Sequence, residues 1–228
     1  MNEKISNWLE EVSNGCHEIA SKNETYPDFY VFQSEIFENP DLLIIGANPA
    51  GVKTYKEAKE QKGITKRTKS DLSSGKNMYL ANPDWAISKP VLKIFNETIK
   101  LNELLKKALI MNVVYFNSNQ VSDLKINFGD DGKKMINFCK QKTQEFIKLV
   151  RPKNIIFLGS DAPKWLKIKF GISHNVLTIK EGTKELYLIQ KIHFENIPCY
   201  LMHHPSRNPK FNNPDNLRLK SEYLDKHL

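Results

Sequence analysis

The sequence predicts an α/β fold: a three-layer sandwich whose central, mainly parallel four-stranded sheet is flanked by helices. Two observations predict it. Four short apolar runs, "DLLIIGA" from Asp41, "ALIMNVVYF" from Ala108, "NIIFLG" from Asn154 and "IPCYLM" from Ile197, show no hydrophobic–polar alternation, as expected of strands covered on both faces. The stretches between them are long and carry amphipathic helical patterns, which is how parallel strands are joined.

In chain order, Ile5, Trp8, Leu9, Val12 and Ile19 fall on one face of an N-terminal helix. After the first strand, Lys53 to Lys76, "KTYKEAKEQKGITKRTKSDLSSGK", interleaves lysines with glutamates. It reads as a solvated helix face or as a mobile basic flap beside a binding site. Tyr79 in "NMYLANPDW" reads as a core tyrosine or as an aromatic platform. Val91, Leu92, Phe95, Ile99, Leu104 and Leu105 suggest one helix before the second strand. Met135, Ile136, Cys139, Phe146, Ile147 and Val150 suggest another, stopped by "RPKN". "KELYLIQKIHFENIPCYL" alternates in places, as a hairpin feeding an antiparallel strand into the last one would. We read one domain over residues 1–228: a helical or extended cap (1–40), a motif-bearing core (41–209) and a C-terminal tail or helix (210–228).

Composition narrows the class. The 228 residues are 40% hydrophobic and 26% charged, a globular balance. No run of about 18 apolar residues is present, so no transmembrane helix is expected. "MNEKISNWLEEV" is polar and acidic from the start, unlike a signal peptide. Cys16, Cys139 and Cys199 are too few and too scattered for a disulfide framework, a metal site or an iron–sulfur cluster. Apart from the adjacent pair His203–His204, the histidines His17, His174, His193 and His227 lack metal-ligand spacing, so neither metal nor cofactor is expected. A reducing cytoplasm or nucleoid is the simplest setting. The formal charge of +8 favours a polyanionic partner, nucleic acid first.

The polar oddities all follow the apolar runs. "GANPAG" follows the first, Asn112 interrupts the second ahead of "FNSN", "GSDAP" follows the third and "HHPSRNP" the fourth. Open α/β sheets bind ligands in the crevice beyond the carboxyl ends of their strands, so these loops are expected to meet at one site. "GANPAG" has neither the dinucleotide fingerprint nor the P-loop lysine pattern. By itself it reads as a strand-to-helix turn, or as a turn presenting the Asn48 amide, which can hold a water or a base edge but cannot act as a strong base. Asn112 reads as a buried amide satisfied by backbone, or as one awaiting a ligand with a complementary edge. An unmatched buried amide costs about 1–3 kcal/mol. His203 and His204 are adjacent on extended chain, so one faces the crevice and the other faces elsewhere.

Taken in this order, "GANPAG", Asn112, "FLGSDA" and "HHPSRNP" resemble the uracil-DNA glycosylase superfamily. The likeness is greatest to its single-strand-selective monofunctional group, whose first motif reads G-x-N-P-G and whose last reads H-P-S-P-R-N-P. It spans roughly Asp41 to Pro209. The resemblance implies a DNA glycosylase of base excision repair. Such an enzyme flips out uracil or a related deaminated or damaged base, hydrolyses its N-glycosidic bond and leaves an abasic site. It implies that Asn48 positions the attacking water and that His204 hydrogen-bonds the base O2. Asn112 reads the flipped base, while Gly46, Ala47, Pro49 and a stacking Tyr79 complete the substrate site. Ser206, Arg207 and Asn208 form the loop that grips DNA. The implied partner is single-stranded DNA or a damaged duplex, the implied state a monomer.

The chain departs from the motifs in two places: Ala50-Gly51 stands where the group has Gly-Pro, and the proline between Ser206 and Arg207 is missing. The runner-up reading is a member of the superfamily that binds DNA or a modified base without cleaving it. A nucleotide- or small-molecule-binding α/β protein of another class is the third.

The chemistry is coherent. Glycosidic cleavage passes through an oxocarbenium-like sugar, so neutral water oriented by an amide is a sufficient nucleophile. Uracil leaves as an anion, and a preorganised donor at O2 is worth about 3–4 kcal/mol by analogy with single oxyanion donors. One amide in one orientation matches the uracil O4 acceptor and N3–H donor, and cytosine reverses that pair.

Overall fold

The computed structural model describes residues 2–207 and 209–228. Helix α1 (Glu3–Ala20) is capped by Asn2, whose side chain accepts from the Lys4 amide, and it buries Ile5, Trp8, Leu9, Val12, Cys16 and Ala20. Then follow β1 (Leu42–Gly46), α2 (Tyr55–Lys62), α3 (Met78–Ala81), α4 (Ser88–Phe95), α5 (Ile99–Lys106), β2 (Leu109–Asn112), α6 (Val121–Val150), β3 (Asn154–Leu158) and α7 (Asp161–Trp165). The chain ends with β4 (Asn175–Glu181), β5 (Lys184–Phe194), β6 (Ile197–Met202) and α8 (Pro214–His227).

The sheet is mixed and has six strands in the order β2-β1-β3-β6-β5-β4. Its parallel half, β2-β1-β3-β6, consists of the four strands expected from the apolar runs. The four-stranded expectation is therefore corrected by two antiparallel strands, β4 and β5. They lack an apolar run because much of their length is only half-buried or exposed. The hairpin from β5 into β6 turns at Glu195 and Asn196, both at positive φ (50° and 67°), the conformation that matches strand twist in a two-residue hairpin.

Alternation along each parallel strand splits the core between the two faces. Leu43, Ile45, Met111, Phe157 and Leu201 pack on the side of α1 and α6. Leu42, Ile44, Ile110, Ile156, Tyr200 and Met202 pack on the side of α4, α5 and α8.

Three further expectations are corrected. The single helix read over Val91–Leu105 is two, because Asn96 ends α4 and the Thr98 side chain caps α5 through the Leu101 amide at 3.2 Å. The second strand ends at Asn112; the apolar residues after it are buried loop, with the Val113 and Val114 amides donating to Gly46 O and Ala47 O at 3.0 and 2.9 Å. Helix α6 starts at Val121, well before the stripe expected from Met135, with Val121 and Leu124 buried too, and it is kinked at Gly129 (φ 54°).

The lysine-rich stretch is neither one solvated helix nor a free flap. Its α-helical part is α2, closed by Gly63 in the left-handed region, and a short 3₁₀ turn follows over Lys69–Leu72. Between the two, Arg67 is 1% exposed. Its guanidinium pairs with Asp28 at 2.6 Å and donates to Phe29 O, and its carbonyl accepts from Ser13 Oγ at 2.8 Å. A buried guanidinium needs such partners, so this residue anchors the segment to the core. Among the described residues, no helix is long and apolar enough to cross a membrane.

Candidate active site

A cleft of about 1150 Å³ opens at the carboxyl ends of β1, β2, β3 and β6. Sheet register accounts for the convergence. Gly46 is the register partner of Asn112, and Leu158 that of Met202, so the four loops leave the sheet from one row. Gly46, Ala47, Asn48, Pro49, Tyr79, Asn112, His204, Ser206 and Arg207 all line the cleft. The structure thus brings together every expected site residue except Asn208, which lies outside the described residues.

Asn48 is held by its nitrogen. Nδ2 donates to Ser118 O at 2.6 Å, Ser118 Oγ at 2.9 Å and Pro49 O at 3.2 Å. Carbonyl oxygens only accept, so these contacts set which end of the amide is nitrogen. They leave Oδ1 as the acceptor still to be engaged.

Asn112 is 5% exposed, and its buried Nδ2 meets no acceptor. Its other end lies against β1. A Cβ on Gly46 would sit 2.6 Å from Asn112 Oδ1, closer than real contacts allow. Glycine at the end of β1 is thus what admits the amide of β2.

His204 is half-buried, and its Nδ1 lies 3.1 Å from Ser206 Oγ. Burial first, and the Arg207 charge second, push its imidazole down to about 4, against a smaller opposing pull from Asp161. It is neutral near pH 7. The preceding loop makes room for it: Gly159 has φ 91°, and a Cβ there would come within 3.1 Å of His204 Cβ.

His203 has the other role expected of the pair. Its ring is stacked between Tyr187 (centroids 4.2 Å) and Phe211 (3.7 Å). Nε2 donates to Tyr187 O at 3.0 Å, which leaves this histidine a packing residue of the cleft wall.

Tyr79 is 2% exposed and packs with Ile44, Val91 and Phe95 in the core; burial pushes its phenol well above the ordinary range. It reaches the cleft as part of that core. Ser206 and Arg207 are exposed at the rim, where Arg207 Nη2 donates to Asn119 O at 2.9 Å and so ties the β6 loop to the β2 loop.

Sequence reasoning missed several lining residues. Ser118 clamps Asn48, and Asn117 carries a buried Oδ1 without a donor. Both belong to "FNSN", whose polar run directly after an apolar one was the available signal. Tyr30 and Trp85 also line the cleft, and no local pattern marks them; Lys53 and Lys62, from the lysine-rich stretch, line it as well. Among the described residues, no group of three or more His, Cys, Asp or Glu could hold a metal ion.

Fold and site together define an α/β protein with a cleft across the tips of its parallel strands. No family model matches the chain and no curated protein matches it.

Proposed function

We propose that the chain is a monofunctional DNA glycosylase that hydrolyses the N-glycosidic bond of a flipped uracil or related damaged base. The observation that carries the reading is the convergence of three differently prepared groups on one cleft. These are an amide whose nitrogen is clamped, an amide whose buried nitrogen is unpaired, and a neutral imidazole.

In this reading Asn48 Oδ1 accepts from the attacking water and aims its lone pair at C1′. Asn112 Nδ2, unmatched within the protein, donates to the base carbonyl O4. Supplying that partner removes a penalty of about 1–3 kcal/mol. If the Ser206 hydroxyl donates to His204 Nδ1, the imidazole proton sits on Nε2, where it donates to O2 as charge develops. The C1′–N1 bond breaks with its electron pair leaving on the base. The water oxygen bonds to C1′, and one water proton is released. A histidine held down to about 4 suits a neutral donor that stabilises the anion without surrendering its proton.

The formal charge of +8 supplies sequence-independent attraction to phosphate that weakens with salt. The partner in this reading is DNA, bound by a monomer in the cytoplasm or nucleoid, and the cleft works without a metal or cofactor. The test is uracil release from a single-stranded oligonucleotide. Activity abolished in His204→Leu and strongly reduced in Asn48→Ala supports the enzyme. Silence together with tight, salt-sensitive DNA binding supports the non-cleaving member of the superfamily instead. A panel of oligonucleotides, each with one damaged base, then identifies the preferred substrate.

A further inference from the structure

The cleft is larger than one base requires. Its 1150 Å³ exceeds the roughly 300–1,000 Å³ of pockets that enclose a whole drug-sized ligand. It is also long. Beyond β2 the wall is continued by the segment that bridges antiparallel to it, Phe32 to Met111 and Phe29 to Phe116. Neighbouring strands lie about 4.8 Å apart, so the row from β6 through β3, β1 and β2 to this segment covers about 19 Å. A stacked strand rises about 3.4 Å per nucleotide. A base held between His204 and Asn112 leaves the far end of the cleft empty.

Tyr30, on that segment, and Trp85, which follows the α3 turn anchored to it by the Met78 amide donating to Gln33 O at 2.9 Å, both line the cleft and remain 40% and 43% exposed. Tyr30 is braced from behind. The fully buried Arg67 guanidinium lies 4.7 Å from its ring centroid, and the Tyr30 amide donates to Tyr115 O at 2.8 Å. A solvent-facing ring backed by a buried cation is a fixed platform. Lys53 and Lys62 line the same cleft and add positive charge to it. Aromatic faces and lysines in one groove suit unpaired nucleic acid: bases stack on the rings while cations follow the phosphates.

We infer that Tyr30 and Trp85 form a stacking subsite for an unpaired base next to the flipped nucleotide of a DNA strand, with Lys53 and Lys62 on its phosphates. The inference rests on the cleft being a DNA site, as in the glycosylase reading. The subsite favours single-stranded over paired DNA, because a base held in a duplex cannot leave its neighbours to lie on Trp85.

The experiment titrates the full chain with a labelled single-stranded oligothymidylate and with a duplex of the same length, following anisotropy at low and moderate salt. Trp85→Ala and Tyr30→Ala are each expected to weaken single-strand binding about tenfold, with duplex binding unchanged. Trp85→Phe, which keeps a ring, retains most of the affinity. Wild-type tryptophan emission is expected to fall on adding the oligonucleotide, and this quenching is lost in Trp85→Ala. Unchanged single-strand affinity and unchanged quenching in Trp85→Ala overturn the subsite even if uracil is released. Trp85-dependent binding without uracil release by any of the proteins sustains the subsite and overturns the glycosylase reading.

Discussion

Gly46 and Asn112 stand opposite each other at the ends of β1 and β2, and a Cβ on Gly46 would come within 2.6 Å of Asn112 Oδ1. Gly46→Ala therefore pushes the Asn112 amide out of its place without altering any hydrogen-bonding group. A misplacement of about 1 Å in a positioned group costs up to about 100-fold in rate. The expected outcome is a loss of that order in kcat/KM for uracil release, with near-native stability in urea.

The clamp on Asn48 makes a prediction about its closest isostere. Asn48→Asp places a carboxylate oxygen against Ser118 O and Pro49 O, where nitrogen now sits at 2.6 and 3.2 Å. Two acceptors facing a third leave all of them unmatched, at about 1–3 kcal/mol. A lower urea midpoint is expected, and slower rather than faster uracil release, although the carboxylate is the better base. Ser118→Ala removes only the hydroxyl and keeps both carbonyl acceptors, so its effect on kcat is the smaller of the two.

Acid should loosen the fold through the two histidines. Both His203 and His204 are held down to about 4, mainly by burial, against about 6.5 when unfolded. Between these values the unfolded chain binds more protons, so stability is full above about pH 6.5 and falls as pH drops toward 4. Melting temperature measured across this window should show the fall. The His203→Phe variant, which preserves a ring between Tyr187 and Phe211, should flatten part of it.

Asp28 is wholly buried against Arg67, and its own carbonyl accepts from the Asn117 amide at 2.8 Å. Asp28→Asn strands a buried guanidinium and is expected to cost about 3–5 kcal/mol in denaturant unfolding. The joint replacement Asp28→Leu with Arg67→Met removes both charges and should recover most of that loss.

Much of the parallel half was legible because fully buried strands must be apolar on both faces. "LLIIG", "NIIFL" and "IPCYLM" coincide with β1, β3 and β6. The loops at their tips were legible because polar residues following such runs have nowhere to go but the crevice. Strands β4 and β5 were obscured by the opposite condition: half-exposed strands mix polar and apolar side chains, so only the partial alternation in "KELYLIQKIHFENIPCYL" hinted at a hairpin, and it left β4 unread. Arg67 looked like one basic residue among many. Its burial depends on Asp28, distant in sequence and adjacent only after folding.

By itself, then, the sequence determined that four parallel strands carry Asn48, Asn112 and His204 to one edge of the sheet, since strand burial and crossover handedness follow from local pattern and backbone chirality. Tertiary structure alone decided that Asn48 is gripped by its nitrogen, that Asn112 is left with an unpaired donor, that His203 is stacked between two rings while His204 lines the cleft beside Ser206, and that Tyr30 and Trp85 join the cleft. Those properties depend on which groups meet across long sequence separations, and local preferences do not encode such meetings.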